Sequence, residues 1–212
     1  MSRGLWDAAT DGQLDRVQAA LRAGAAVDFP GQVEVCDAEG EVVPVTGVTP
    51  LMRAAAEGHA AVVDALLAAG ANPAATTSDG WTPLHFAAIA DTDAPLRRIL
   101  AAGAPVHART DRGETALWLA AEGEDLGHVE ALLAAGAAVD AADAAGVTPL
   151  MVVVDQPLGL GAPPRAVRAL IRCLRAAGAD PSRRDAAGRT AADIAAKHGH
   201  TAWVAQLRAP RG

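Results

Sequence analysis

The chain has 212 residues, of which 51% are apolar and 20% are charged, and this balance excludes a wholly disordered protein. Its net charge of −7 argues against sequence-independent binding of nucleic acid, because such binding depends on clustered Lys and Arg. Only 3% of the residues are aromatic whereas 54 are Ala, so we expect a thin fold of close-packed helices rather than a thick core.

No segment of the sequence looks like a targeting signal or a membrane span. The first 15 residues carry acids and no apolar signal-peptide core, and no apolar stretch approaches the ~20 residues of a span. We therefore expect a soluble, cytoplasmic protein. The two cysteines, Cys36 and Cys173, make no disulfide framework. Because 17 of the 18 basic residues are Arg, we expect a GC-rich, bacterial source.

The chain opens with a pattern typical of two short helices. The pattern spans residues 5–28, and its second helix ends at Gly24-Ala25. We interpret this segment as an N-terminal cap. In the next segment, between Asp28 and Gly47, apolar residues alternate with polar ones. This alternation predicts a β-hairpin, which we expect to lean on the element beside it because an isolated hairpin is marginally stable. The alternating apolar residues are Val33, Val35, Val43 and Val45.

From residue 47 onwards the sequence repeats. The string Gly-x-Thr, followed by Pro or Ala, recurs three times at steps of 33 residues and once more after 42, starting at Gly47, Gly80, Gly113, Gly146 and Gly188. Each Thr stands where a helix needs an N-cap, and a Pro at the next position suits the first helical turn. A second amphipathic helix follows and ends at a Gly-Ala pair. The nine extra residues of the fifth unit predict a long loop between its helices.

This unit resembles the ankyrin repeat, which is matched best by Gly80-Trp81-Thr82-Pro83-Leu84-His85-Phe86-Ala87-Ala88. The resemblance implies an all-α fold, a solenoid of stacked helix-turn-helix units with β-hairpin-like loops that are called fingers below. We expect a single domain over residues 1–212. Its units are a cap at 5–28, repeats at 47–79, 80–112, 113–145 and 146–187, and a cap at 188–209 that ends in an amphipathic helix, with insertions at 29–46 and 155–165.

One position of the repeat departs from the family pattern. His85 occupies the place where the resemblance implies a histidine that bridges neighbouring turns by hydrogen bonds. Other residues stand in the same slot of the remaining repeats: Met52, Trp118, Met151 and Asp193. We expect the interfaces of those repeats to depend on packing instead.

The sequence offers no pattern typical of catalysis or of a cofactor. None of the three serines lies in a Gly-x-Ser-x-Gly turn, and Gly159-Leu160-Gly161 lacks the flanking strand and helix of a phosphate loop. His198 and His200 are two residues apart, so on a helix their side chains would diverge. We predict no catalytic, cofactor-binding or metal-binding residues, and we expect the protein not to be an enzyme.

The resemblance implies that a partner binds at the finger tips and at the exposed ends of the first helices. Carried onto this sequence, those positions predict the following partner-binding residues: Glu57, Ser78, Asp79, Trp81, Ile89, Asp111, Arg112, Glu114, Glu122, Asp155 and Gln156. Acids outnumber bases among these positions. They form either a merely solvated acidic face or a concave surface that is complementary to a basic partner. Trp81 is either an exposed interface anchor or folded down onto a neighbouring finger.

These observations predict a protein–protein interaction module. We expect a monomer that binds another protein with a basic surface and binds neither nucleic acid nor a membrane, as a bacterial regulator, inhibitor or immunity-type protein would. Two alternatives stay open. One is a small-molecule binder or enzyme that uses the 155–165 loop as a lid, and the other is a passive structural scaffold.

Overall fold

The computed structural model describes residues 2–36, 42–155 and 165–200, together with Trp203, Val204 and Leu207. Contacts within the chain divide it into two compact units, Met1–Asp111 and Arg112–Gly212. The first unit contains α1 (Ser2–Thr10), α2 (Leu14–Arg22), β1 (Gly31–Cys36), β2 (Val42–Val48), α3 (Pro50–Ala56), α4 (Ala60–Ala68), α5 (Pro83–Ala88) and α6 (Asp93–Ala101). The second unit contains α7 (Ala116–Glu122), α8 (Leu126–Ala134), α9 (Pro149–Val154), α10 (Arg165–Ala176) and α11 (Ala191–Lys197). That all of these form one domain stays a prediction.

The first helix of each repeat begins where the sequence predicts it. The Thr49 hydroxyl accepts a hydrogen bond from the Met52 backbone N–H, and Pro50 occupies the first turn, where a missing N–H costs nothing. The same cap recurs at three later helices, where the accepting residues are Thr115, Thr148 and Thr190.

Within each unit the helices form two layers. In the first unit, α1, α3 and α5 pack side by side, and α2, α4 and α6 pack behind them. In the second unit, α9 lies between α7 and α11, while α8 packs against α10. Leu5, Leu51 and Leu84 occupy the same place in successive repeats and are buried, so each interface removes apolar surface from water. The predicted helix-turn-helix repeat architecture is confirmed within each unit.

The hairpin predicted between Asp28 and Gly47 is confirmed. Strands β1 and β2 pair antiparallel, with Val33 opposite Val45 and Val35 opposite Val43. The register shifts at Gly47, whose φ of 83° is a conformation that favours glycine, so this residue forms a bulge. The hairpin leans on the next finger as expected, because the Ser78 N–H donates to the Thr46 carbonyl at 2.9 Å.

The histidine slot corrects one expectation. His85 Nε2 lies 3.2 Å from the Ala108 carbonyl of the following finger, as the resemblance implies. However, the interface at Trp118 does not depend on packing alone, because the Trp118 indole N–H donates to the Val147 carbonyl at 2.9 Å. Trp6, which stands in the same slot of the N-terminal cap, donates in the same way to the Val48 carbonyl at 2.9 Å. The indole therefore replaces the imidazole as the bridge between repeats.

Residues 156–164 of the predicted 155–165 loop lie outside the described residues. The helix that follows, α10, has 12 residues and buries Val167, Leu170, Ile171 and Leu174. Trp203 and Leu207 of the predicted C-terminal helix are helical and buried. Among the described helices, none has the length and apolar character needed to cross a membrane.

Candidate binding surfaces of the two units

The finger tips of each unit are joined by backbone hydrogen bonds. In the first unit, the Asp111 N–H donates to the Asp79 carbonyl at 3.0 Å, which continues the bond between Ser78 and Thr46. In the second unit, the Ala144 N–H donates to the Arg112 carbonyl at 2.8 Å. Each bond fixes one tip against the next, so the side chains at the tips are held at regular spacing.

The glycine that begins each repeat makes this close approach possible. Gly80 has a φ of 81°, and a Cβ there would lie 3.1 Å from the Asp111 backbone nitrogen. A Cβ on Gly113 would lie only 2.8 Å from the Ala144 nitrogen. Both the backbone conformation and the neighbouring finger therefore favour glycine at these positions.

Two acids lie at the tips of the first unit. Asp111 is exposed, and Asp79 is half-buried and accepts a short hydrogen bond from the Thr77 hydroxyl. Ser78 is exposed, but its hydroxyl accepts from the Thr46 N–H at 3.1 Å. Ser78 therefore joins neighbouring fingers, whereas the carboxylates of Asp79 and Asp111 supply negative charge at the tips.

Trp81 does not stand out from the finger as an exposed anchor. It is half-buried, and its ring lies 5.2 Å from that of Phe86 and 5.9 Å from that of His85, measured between ring centroids. The indole therefore packs against α5 of its own repeat. Ile89, which follows α5, is an apolar side chain that is 51% exposed.

The Glu57 carboxylate, a predicted partner contact, is already paired within the protein. Its carboxylate pairs with Arg53 one turn earlier on α3, at 2.8 Å. The Arg53 guanidinium also lies 5.5 Å from the centre of the Trp6 ring. The i, i+4 spacing of Arg53 and Glu57 is a sequence signal for this pair that the analysis of tips and helix ends left out.

Three charged residues meet in the second unit. Glu122 ends α7, and burial together with the nearby Glu114 carboxylate raises its pKa, while Arg112 opposes that shift. Glu122 and Arg112 are exposed, and Glu114 is half-buried. Burial and the Glu114 charge therefore disfavour the ionised form of Glu122, which a cation brought close to Glu122 would favour.

Asp155 follows α9 and pairs with His198, with 2.8 Å between Oδ1 and Nε2. Nothing in the sequence pattern pointed to this partner, because the two residues are 43 positions apart. Gln156, the remaining predicted site residue, lies outside the described residues.

The described part of the chain contains no group of three or more His, Cys, Asp or Glu residues that could hold a metal ion. Burial and the nearby Glu130 carboxylate raise the pKa of the Cys173 thiol, which disfavours its thiolate form. A cleft that the sequence analysis missed, with a volume of about 670 Å³, lies beside α1 and β1. Its sequence signal is the pair of aromatic residues Trp6 and Phe29 next to a predicted strand.

Comparison with protein families agrees with the fold. Residues 5–104 match a family model described as ankyrin repeats in three copies, and residues 112–144 match one described as an ankyrin repeat. The chain belongs to the ankyrin repeat family. Proteins of this family are generally protein–protein interaction modules. No curated protein sequence matches the chain at a significant level.

Proposed function

We propose that this chain binds a basic segment of a partner protein at its finger tips and first-helix ends. The observation that carries the proposal is the backbone hydrogen bond that joins Asp79 to Asp111 at neighbouring finger tips. Ile89, which follows α5 in the same unit, is an exposed apolar side chain. Carboxylates attract a basic partner, and an exposed apolar side chain offers surface to bury on binding.

The second unit supports the same proposal independently. A Lys or Arg of the partner that approaches Glu122 favours its ionised form, so binding and the ionisation of Glu122 are coupled. In this proposal Arg112 orients the segment by repelling its cations. Asp155 adds a carboxylate of the second unit and exchanges His198 for a partner cation. Gln156 stays a predicted contact outside the described residues.

Rigidity favours binding at such a surface. The tips are already fixed by backbone hydrogen bonds, so little conformational entropy is lost when the partner docks. In this proposal, Trp81 packs against Phe86 and does not act as an anchor that inserts into the partner.

The finer identity that we propose is a cytoplasmic, monomeric regulator or inhibitor of another protein, in a bacterium. The preference of the chain for Arg over Lys supports the bacterial source. It carries out no reaction in this proposal, and its effect arises from covering a surface of the partner.

The proposal is tested by capturing the partner and then measuring its affinity by calorimetry. Asp111→Lys should weaken binding at least tenfold, and Ile89→Ser should weaken it as well. Asp15→Lys is the matched control, because Asp15 is an exposed acid on α2, away from the finger tips. Equal affinities for Asp111→Lys and the unaltered protein would exclude this surface.

A further inference from the structure

Strand β1 has one edge that is not occupied by β2. The outer edge of β2 is taken, since the Thr46 N–H donates to the Ser78 hydroxyl at 3.1 Å and its carbonyl accepts from the Ser78 N–H. In an antiparallel pair, the N–H and C=O of one residue point to the same side, and this side alternates along the strand. Thr46 and Pro44 therefore point away from β1, while Val45 and Val43 point towards it.

The pairing register between the strands shows which residues of β1 face β2. Val33 and Val35 lie opposite Val45 and Val43, so they form the ladder with β2. Gln32 and Glu34 alternate with the two valines along β1, so their N–H and C=O groups face the outer edge. Within residues 2–36 and 42–155, the backbone N–H and C=O groups of Gln32 and Glu34 make no hydrogen bond. Pro44 opposite Glu34 agrees with this assignment, because a proline cannot donate to the ladder.

The cleft of about 670 Å³ is lined by these same two residues. Its other walls include Arg3 and Asp7 of α1, and Phe29, which is 38% exposed. Gln32 and Glu34 are exposed as well. The two residues with outward-facing backbone groups thus also line a cleft that holds an exposed aromatic ring and two carboxylates.

We propose that an extended, basic segment of a partner protein adds to β1 as a third strand, with side chains entering this cleft. Backbone hydrogen bonds to Gln32 and Glu34 hold such a segment, and alternate side chains reach Phe29 and the carboxylates of Asp7 and Glu34. Asp7 and Glu34 outweigh Arg3, so the cleft favours cations. A second copy of this chain fits worse, because it would bring the acids of one cleft against those of the other.

The cleft shares no residue with the proposed finger-tip surface, so either proposal can fail without the other. The probe is an eight-residue peptide that alternates Lys with Val. Its control is the same peptide N-methylated at every backbone amide, which keeps the charge and side chains but cannot donate to a strand. Amide hydrogen exchange of the full chain gives the site, with Val33 and Val35 as internal references because the ladder already protects them.

We expect the unmethylated peptide to slow exchange at Gln32 and Glu34 at least tenfold, and the methylated peptide to leave it unchanged. Equal protection by both peptides would show that charge attraction alone accounts for the binding, and it would overturn the proposal. Protection confined to other amides would overturn it too. Protection that rises with protein concentration in the absence of peptide would assign the edge to a second copy instead.

A pair of variants tests the backbone contact from the protein side. Glu34→Pro removes the outward N–H and leaves the ladder bonds of Val33 and Val35 in place, whereas Glu34→Gln keeps the N–H and removes only the charge. We expect at least tenfold weaker peptide binding for Glu34→Pro, and a smaller, salt-dependent loss for Glu34→Gln. Equal losses would contradict strand addition. Circular dichroism checks the fold of both variants. If Glu34→Pro unfolds, the comparison of the two peptides on the unaltered protein still tests the proposal.

Discussion

At the scale of single residues, one slot decides how neighbouring repeats are tied together. Trp6, His85 and Trp118 each place a ring nitrogen within hydrogen-bond distance of a carbonyl in the following finger. The sequence alone predicted the bridge only for His85. An indole can act in its place because it also presents one N–H at the end of a flat, largely apolar ring.

Trp118→Phe should test this bridge. The change removes the indole N–H and leaves the Val147 carbonyl without its donor, which should cost about 2 kcal/mol of unfolding free energy. The matched control is Trp81→Phe, because the half-buried Trp81 indole makes no hydrogen bond through its nitrogen in the described residues. Urea denaturation of both variants measures the difference. Equal losses would show that packing alone holds this interface.

Asp185 makes a finger sensitive to acid. Its carboxylate accepts from the backbone N–H groups of Arg189 and Ala187 and pairs with the Arg189 guanidinium, and together these contacts lower its pKa. A carboxyl group whose pKa is lowered by folding stabilises the protein above the pKa of the unfolded chain. That stabilisation is lost as the pH falls through the lower, folded value.

Asp185→Asn should therefore lower the melting temperature at pH 7, and the deficit should shrink once the pH falls below about 4. Asp143→Asn serves as control, because Asp143 makes the same kind of backbone bonds but has Val147 where Asp185 has Arg189. Thermal melts between pH 2.5 and 7 measure both variants. A deficit for Asp185→Asn that does not change with pH would refute the role of its charge.

At the scale of elements, the sequence predicts the helices far better than it predicts the side-chain contacts of the fingers and helix ends. Thr caps, Pro at the first turn and buried Leu positions depend on neighbours within the same repeat, so a local pattern predicts them. The valine alternation likewise predicted the hairpin. The folding back of Trp81 onto Phe86 and the pairing of Asp155 with His198 were not predictable, because they depend on how a finger or a distant helix packs.

The spacing of the fingers is testable through two glycines of the second unit. Gly113 and Gly136 both have positive φ, so alanine at either position should cost about 1 kcal/mol for its backbone conformation. A Cβ on Gly113 would also meet the Ala144 nitrogen at 2.8 Å, whereas a Cβ on Gly136 meets nothing within 4 Å. Gly113→Ala should therefore destabilise the fold by at least ~1 kcal/mol more than Gly136→Ala in urea denaturation. Equal effects would mean that the fingers move apart without cost.

At the scale of the whole molecule, the repeat period carries most of what the sequence can say. A step of 33 residues, with Thr caps and Gly-Ala ends in register, predicts the ankyrin fold, and residues 5–104 and 112–144 match its family models. The repeat pattern says much less about the binding surface, because side chains at the tips vary without disturbing the core. The family resemblance predicted the acids and Ile89 as candidate contacts, but their burial and their hydrogen-bond partners could be read only from the structure.

The central claim is that acidic finger tips attract a basic partner, and the association rate of the captured partner, measured at rising salt, tests it most directly. We expect the rate to fall as salt screens the charges, and Asp111→Lys to slow association at low salt by about tenfold or more. The difference between Asp111→Lys and the unaltered protein should narrow at high salt, while Asp15→Lys stays close to the unaltered protein throughout. An association rate that is independent of salt and identical for all three proteins would contradict the account.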